Sequence, residues 1–273
     1  MPLPYPAPLA AELWQVAEAL ADAARPVTLR HFRQRGLDAD NKHAAGGFDP
    51  VTAADREAEA AMRALLARLR PDDAILGEEA GTTPGTSGLT WVLDPIDGTR
   101  GFMSGTPTWG VLIALNDAGG PVLGLIDQPY IGERFMGGLG RARLDGPHGR
   151  IALQTRAPRP LDQATLFTTF PEIGTAMERA AFERVARTAR LTRYGTDCYA
   201  YALVAVGQID LVIEAGLGPH DIAAPIAVIR AAGGVVTDWQ GGPAHGGGQV
   251  LAAANAAIHA QALALLQEGG GGA

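Results

Sequence analysis

Trp91-Val92-Leu93-Asp94-Pro95-Ile96-Asp97-Gly98-Thr99 opens as a strand and closes as a ligand-binding loop. Trp, Val and Leu favour extended backbone. They run directly into two carboxylates, a proline, a glycine and a threonine. Loops at strand ends expose backbone and side chains together, so such a break is a usual place for a site. Asp94 and Asp97 stand three residues apart, across a turn that Pro95 and Gly98 both favour. They can converge on one point charge, and hard oxygen donors of this kind suit Mg²⁺. Standing alone, a D-x-x-D-G run reads better as a strand followed by an Asp-rich turn. Two further acidic segments reverse that judgement.

The first is Asp49-Pro50-Val51-Thr52-Ala53-Ala54-Asp55, followed by Ile75-Leu76-Gly77-Glu78-Glu79-Ala80-Gly81. The second is Gly218-Pro219-His220-Asp221-Ile222-Ala223-Ala224-Pro225, leading into Ala231-Ala232-Gly233-Gly234. With Asp94–Thr99, these segments resemble the inositol monophosphatase superfamily of metal-dependent, lithium-sensitive phosphatases. Order and rough spacing agree for all three, from about residue 10 to about residue 265. The resemblance implies an α/β protein with an α+β N-terminal part, folded as a layered α-β-α-β-α sandwich of the inositol monophosphatase and fructose bisphosphatase type. Residues 1–155 would form an N-terminal α+β subdomain carrying most metal ligands. Residues 156–273 would form an α/β subdomain supplying Asp221 and the substrate pocket.

Composition is compatible with this. A chain of 273 residues buries a large core and lies near the size where one core divides in two. Its 47% hydrophobic content and mean hydropathy of +0.06 are those of an ordinary globular protein. A net charge of −7 disfavours nucleic acid, and it suits a phosphate-binding enzyme only if cations bridge the two. One cysteine, Cys198, excludes an intrachain disulfide and a cysteine zinc cluster, and it reads as a buried thiol among Tyr199, Tyr201 and Leu203. No signal-peptide pattern and no apolar run of about 20 residues is present, so the expectations are no membrane and the cytoplasm.

Leu9, Leu13, Val16, Ala17 and Leu20 recur at helical spacing, and Pro26 predicts a kink or an end. The polar stretch 36–48 predicts a mobile loop, and a second helix runs from Ala54 to Leu69. Strands follow around Ile75, 91–93, 111–115, 122–126 and 134–136, mainly antiparallel, with a hairpin turn at Asn116–Gly120. Beyond the Pro-rich stretch 156–160 the rhythm alternates. Helices near 175–188, 197–207, 221–232 and 256–267 alternate with strands near 191–194, 210–214, 234–238 and 249–254.

Carried over residue by residue, the resemblance puts Glu78, Asp94 and the Ile96 carbonyl on one Mg²⁺. Asp94 bridges to a second ion held also by Asp97 and Asp221, and Glu78 contacts a third, weaker site; Mn²⁺ would also be accepted. Thr99, supported by Asp49, would orient the nucleophilic water, with Glu78 counted among the catalytic groups. Amides of Gly98 and Thr99 would bind phosphate oxygens, and Lys42 would counter phosphate charge. Each has a plainer reading. Asp49 and Asp55 flank a helix start and could cap it, a role that suits Asp55 better. Asp221 could cap its own helix as well as coordinate. Glu79 reads as a solvated neighbour, His220 as packing or rim. No G-x-S-x-G elbow, Walker loop or H-x-H cluster offers another hydrolase chemistry, and around Asp94 the second aspartate of a D-x-D motif is replaced by Ile96.

Substrate choice is signalled by two segments. Val122-Leu123-Gly124-Leu125-Ile126-Asp127-Gln128-Pro129 with Glu133-Arg134-Phe135, and Tyr194-Gly195-Thr196-Asp197-Cys198-Tyr199, resemble the histidinol-phosphatase branch. Thr196 and His220 depart from that branch's Gly and aromatic. Histidinol phosphate carries an ammonium, which a nearby carboxylate would bind. Asp197 and Glu214 are the candidates, with helix capping the rival role for Asp197. The resulting expectation is a Mg²⁺-dependent histidinol-phosphatase of histidine biosynthesis, acting on a small phosphorylated substrate and forming a homodimer. Its alternatives are an inositol-1-phosphate or broad-specificity sugar or nucleotide phosphatase, and an inactive regulatory relative.

Overall fold

The computed structural model describes residues 5–34, 39–41 and 50–268. Lys42 and Asp49, together with most of the predicted loop at 36–48, lie outside the described residues. Helix α1 (Ala7–His31) is followed by strands β1 (Ala39–Asn41) and β2 (Pro50–Thr52), then helix α2 (Ala53–Leu69). Next come β3 (Ala74–Gly77), β4 (Gly81–Thr83), β5 (Thr90–Asp97), α3 (Thr99–Ser104), β6 (Gly110–Asp117) and β7 (Gly120–Gln128). Then follow β8 (Glu133–Gly138), β9 (Arg141–Gly146), β10 (Gly149–Ala152), β11 (Thr165–Thr168), α4 (Ala176–Thr188), β12 (Leu191–Tyr194) and α5 (Asp197–Ala205). The chain ends with β13 (Leu211–Leu217), α6 (Pro219–Ala231), β14 (Val235–Thr237), β15 (Gly248–Ala253) and α7 (Ala256–Gln267).

Strands β3 to β10 form an eight-stranded sheet in the order β10-β9-β8-β7-β6-β5-β3-β4, antiparallel except for the β3–β5 pair. A five-stranded mixed sheet follows the order β12-β11-β13-β15-β14. Side chains on a strand alternate faces, and here both faces of the first sheet are buried. Val111, Ile113 and Leu115 meet α1 and α2, while Leu112 and Ala114 meet α5 and α6. The same α5–α6 layer takes Val212, Val250 and Ala252 from the second sheet, whose far face packs Leu211, Ile213 and Leu251 against α4 and α7. The order of layers is therefore helix, sheet, helix, sheet, helix, as the resemblance implied.

Three local features differ from the sequence expectations. Helix α1 continues through Pro26, with Ala24 and Thr28 on either side both fully buried, so packing outweighs the bond that proline cannot donate. Residues 39–41 of the predicted loop form β1, paired antiparallel with β2. Strand β5 does not stop before Pro95 but runs on to Asp97.

Helix α6 lies directly on strand backbone. A Cβ built on Gly124 would stand 2.2 Å from Ala224 O, and one on Gly137 would stand 2.4 Å from Val228 Cα. Only glycine permits that approach. At the other flank, fully buried Asp127 accepts from Arg25 Nη2 (2.6 Å) and Arg134 Nε (2.7 Å), tying α1 to β7 and β8.

Candidate active site

Asp94 and Asp97 are three positions apart, an odd offset, so in a regular strand they would face opposite sides. The pairing with β6 slips between them: Asp94 opposes Leu112 and Asp97 opposes Gly110, three steps against two. One extra residue resets the alternation. The bulge spans Pro95 and Ile96, and Pro95 has no amide to contribute to the ladder. Both carboxylates thus reach the same side, where they meet Asp221 from the first turn of α6. Ligand oxygens of the three residues all lie within 4.8 Å of one another.

Each carboxylate is also fixed from behind. Asp94 Oδ1 accepts from Ile96 N (3.0 Å), Asp97 Oδ2 from Cys198 N (2.6 Å), and Asp221 Oδ2 from Gly218 N (2.6 Å). The last bond is a helix cap, so capping and a place in the cluster coexist in Asp221. Burial raises the pKa of Asp94 well above the usual carboxylate range, and the charges of Glu78, Asp97 and Asp221 raise it further. Asp97 is raised by burial and then by Asp221 and Asp197; Asp221 is raised mainly by burial. One buried and two half-buried acids that oppose one another's ionisation, offering only oxygen donors, fit a hard divalent cation.

Glu78 lines the same cleft from the end of β3. Its turn is held from inside by Glu59 of α2, a residue sequence reading passed over. Glu59 accepts from Glu79 N (2.8 Å), Ala80 N (3.0 Å) and Arg63 Nε (2.6 Å) while almost fully buried. The only trace in the sequence is the Glu59–Arg63 spacing of one helical turn. Thr99 starts α3 behind Gly98, whose φ of 82° suits glycine, and its Oγ1 donates to Ile96 O (3.1 Å). Helix α3 is seated through Phe102, which packs edge-on against Trp109.

The cleft, of about 300 Å³, brings together Glu78, Asp94, Ile96, Asp97, Gly98, Thr99, Asp197, Glu214 and Asp221. Its far wall is Thr168, Thr169, Phe170 and Glu172, with Arg100 stacked 5.0 Å from the Phe170 ring. None of these five carried a motif, although Arg100 directly follows Thr99. Asp197 does not cap α5 with its side chain. Its carboxylate lies against α3, so close that a Cβ on Gly98 would stand 2.8 Å from Asp197 Cγ. Burial raises the Asp197 pKa, and Thr108 and Arg100 oppose the rise. Glu214 is already engaged. Its Oε1 accepts from Thr169 N (3.0 Å) and from the Thr169 hydroxyl, its Oε2 from Tyr201 OH (2.7 Å), and burial pushes its pKa up to about 7. Asp55 closes a capping box with Thr52 at the start of α2, as the plainer reading had it. The His220 ring covers Gly218 and its Nε2 stands 3.6 Å from Asp221 Oδ1.

Five alternating layers with an acidic cluster at the seam of two sheets define a hydrolase of the phosphatase type. Residues 10–270 match the model of the inositol monophosphatase family, and the chain belongs to that family. The family is metal-dependent and acts on small phosphorylated substrates. The chain is 42% identical over 266 residues to the bifunctional phosphatase IMPL2, chloroplastic, of Arabidopsis thaliana, covering 92% of this chain and 74% of that one. To a histidinol-phosphatase of Mycobacterium tuberculosis it is 38% identical, covering 93% and 97%. The solved inositol monophosphatase of Zymomonas mobilis superposes with a TM-score of 0.82 at 39% identity, covering 93% of this chain and 96% of the other. No helix among the described residues is long and apolar enough to cross a membrane.

Proposed function

We propose that the protein is a Mg²⁺-dependent phosphomonoesterase that hydrolyses L-histidinol phosphate to L-histidinol and phosphate, serving histidine biosynthesis. The observation that carries the substrate choice is Asp197. Its carboxylate lines the cleft beside Gly98, unspent on helix capping, where an ammonium next to the phosphate would meet it. Similarity to the M. tuberculosis histidinol-phosphatase supports the same choice.

Glu78, Asp94, Asp97, Asp221 and the Ile96 carbonyl would hold the cation. A divalent cation there supplies charge neutralisation for the phosphate and lowers the pKa of water. The first amides of α3, at Gly98 and Thr99, lack intrahelical partners and would bind phosphate oxygens. Thr99 Oγ1, supported by Asp49, would orient the attacking water, and Lys42 would counter phosphate charge. Asp197 would bind the substrate ammonium. Glu214, which also lines the cleft, would act beside it. On this reading the first sheet, complete by residue 152, and the second, starting at residue 165, belong to subdomains 1–155 and 156–273. The enzyme would be a homodimer, a state that light scattering on the purified protein reports.

The deciding assay is phosphate release by EDTA-stripped protein, with and without Mg²⁺. The panel is L-histidinol phosphate, inositol 1-phosphate, fructose 1,6-bisphosphate and adenosine 3′,5′-bisphosphate. A Mg²⁺-dependent preference for histidinol phosphate is expected. Preference for inositol 1-phosphate would transfer the same site to the inositol branch. Silence on every ester would point to an inactive regulatory relative.

A further inference from the structure

The segment Asp127-Gln128-Pro129 with Glu133-Arg134 marks the substrate branch in sequence, yet none of it lines the cleft. Two of its side chains reach the first turn of α5 instead. Gln128 Nε2 donates to Cys198 Sγ (3.4 Å), and Glu133 Oε2 accepts from Tyr199 OH (2.8 Å). The Tyr199 ring also lies edge-on to Phe135 of β8, with centroids 6.2 Å apart. Add the bond from Cys198 N to Asp97, and residues 198 and 199 are tied to β5, β7 and the start of β8.

The residue just before these anchors is Asp197, and its φ is 44°. A non-glycine residue keeps such a conformation only where its surroundings over-determine it. On one side Asp197 is pressed against Gly98 and Gly101 of the α3 turn; on the other it is followed at once by the two anchored residues. The two sequence segments that mark the branch are therefore one structural unit, 66 residues apart at the Glu133–Tyr199 bond.

We propose that Glu133 and Tyr199, with Gln128 beneath Cys198, are positioning residues for substrate choice. They hold the strained backbone at Asp197 and so set the reach of its carboxylate toward the substrate ammonium. This inference rests on the reading of Asp197 as the amine contact. Because none of the three lines the cleft, loss of their bonds leaves the handling of the phosphate group intact.

The test is steady-state hydrolysis of L-histidinol phosphate at saturating Mg²⁺, with inorganic phosphate as competitive inhibitor, for wild type, Tyr199→Phe, Glu133→Gln, the double variant and Asp197→Asn. Tyr199→Phe keeps the ring and its packing, which protects the fold. Tyr199→Phe is expected to raise KM by about fivefold, the scale of one hydrogen bond, and Glu133→Gln, whose amide oxygen still accepts, by less, with kcat and the phosphate Ki unchanged. Because both changes act on the same bond, the double variant should be no worse than Tyr199→Phe alone. KM, kcat and Ki moving together, or none moving, would overturn the proposal. If Asp197→Asn raises KM while Tyr199→Phe and Glu133→Gln do not, this inference alone falls. If Asp197→Asn leaves KM unchanged, the amine reading fails and the inference with it.

Discussion

Replacing Asp94 with asparagine removes one charge from the cluster while keeping the side chain's shape and its Oδ1 acceptor for Ile96 N. Turnover should fall by at least about 100-fold, the order lost with a preorganised electrostatic group. In chelator at neutral pH the variant should melt higher than wild type, because burial and like charge already oppose ionisation there. Glu214 tests the same physics with one group. Its pKa rises from 4.5 to about 7, chiefly through burial, with Thr169 and Tyr201 opposing the rise. Stability from this group is full below its unfolded value near 4.5 and is lost as pH climbs through 7. The loss reaches about 3 kcal/mol. Glu214→Gln should flatten that part of the Tm profile, so its advantage over wild type at pH 8 shrinks by pH 5. Asp94 and Asp97 were legible from their spacing across a turn, and Asp221 only through the resemblance, because its place in the chain is far from theirs. The strained φ of Asp197 and the inward role of Glu59 were not, since both depend on neighbours far along the chain.

Helix α2 shows how an element governs a site it does not line. Glu59 holds two amides of the turn that follows Glu78, and Arg63 spans the same turn to Gly81 O and Thr83 Oγ1. Glu59→Ala would remove the acceptor of those two amides and of Arg63 Nε, costing about 3 kcal/mol or more. Thermal melts should show that loss, and Mg²⁺ titration of the folded variant should show weaker binding as Glu78 loosens. Long periodic elements were readable from the chain: α2 and α4 to α7 fall within two residues of their predicted bounds. Strands β1, β2, β4, β9, β10 and β11 were missed, and all but the six-residue β9 are only three or four residues long. Those at the sheet edges, such as Gly81–Thr83 and Gly149–Ala152, are also fully exposed and show no alternation of apolar residues. The continuation of β5 past Pro95 was hidden because a bulge, unlike a turn, has no residue signature beyond the proline itself.

At the scale of the molecule, the acidic centre draws Asp94 and Asp97 from one sheet and Asp221 from the helix layer between the sheets. A bound divalent cation should therefore stabilise the whole assembly. By mass action the gain is about 2.7 kcal/mol at 100 times Kd. Raised pKa values set its pH dependence. Protons already neutralise the carboxylates in acid, so Mg²⁺ should raise Tm more at pH 8 than at pH 5.5. Equal shifts at the two pH values would show that the ion binds elsewhere. The layer order was legible only through resemblance, because alternating strands and helices alone do not state which sheet covers which helix.

The seating of α6 on Gly124 and Gly137 has a further result. At these two glycines main chain meets main chain with no side chain between to act as a spring, and the Gly218 amide donates to Asp221 Oδ2 at the start of the same helix. The acids gathered at the start of that helix have raised pKa values and so favour their protonated forms. A cation bound among them would displace those protons. The proposed centre would then act as an ion exchanger, and a weakly buffered solution of the stripped protein should acidify measurably as MgCl₂ is titrated in.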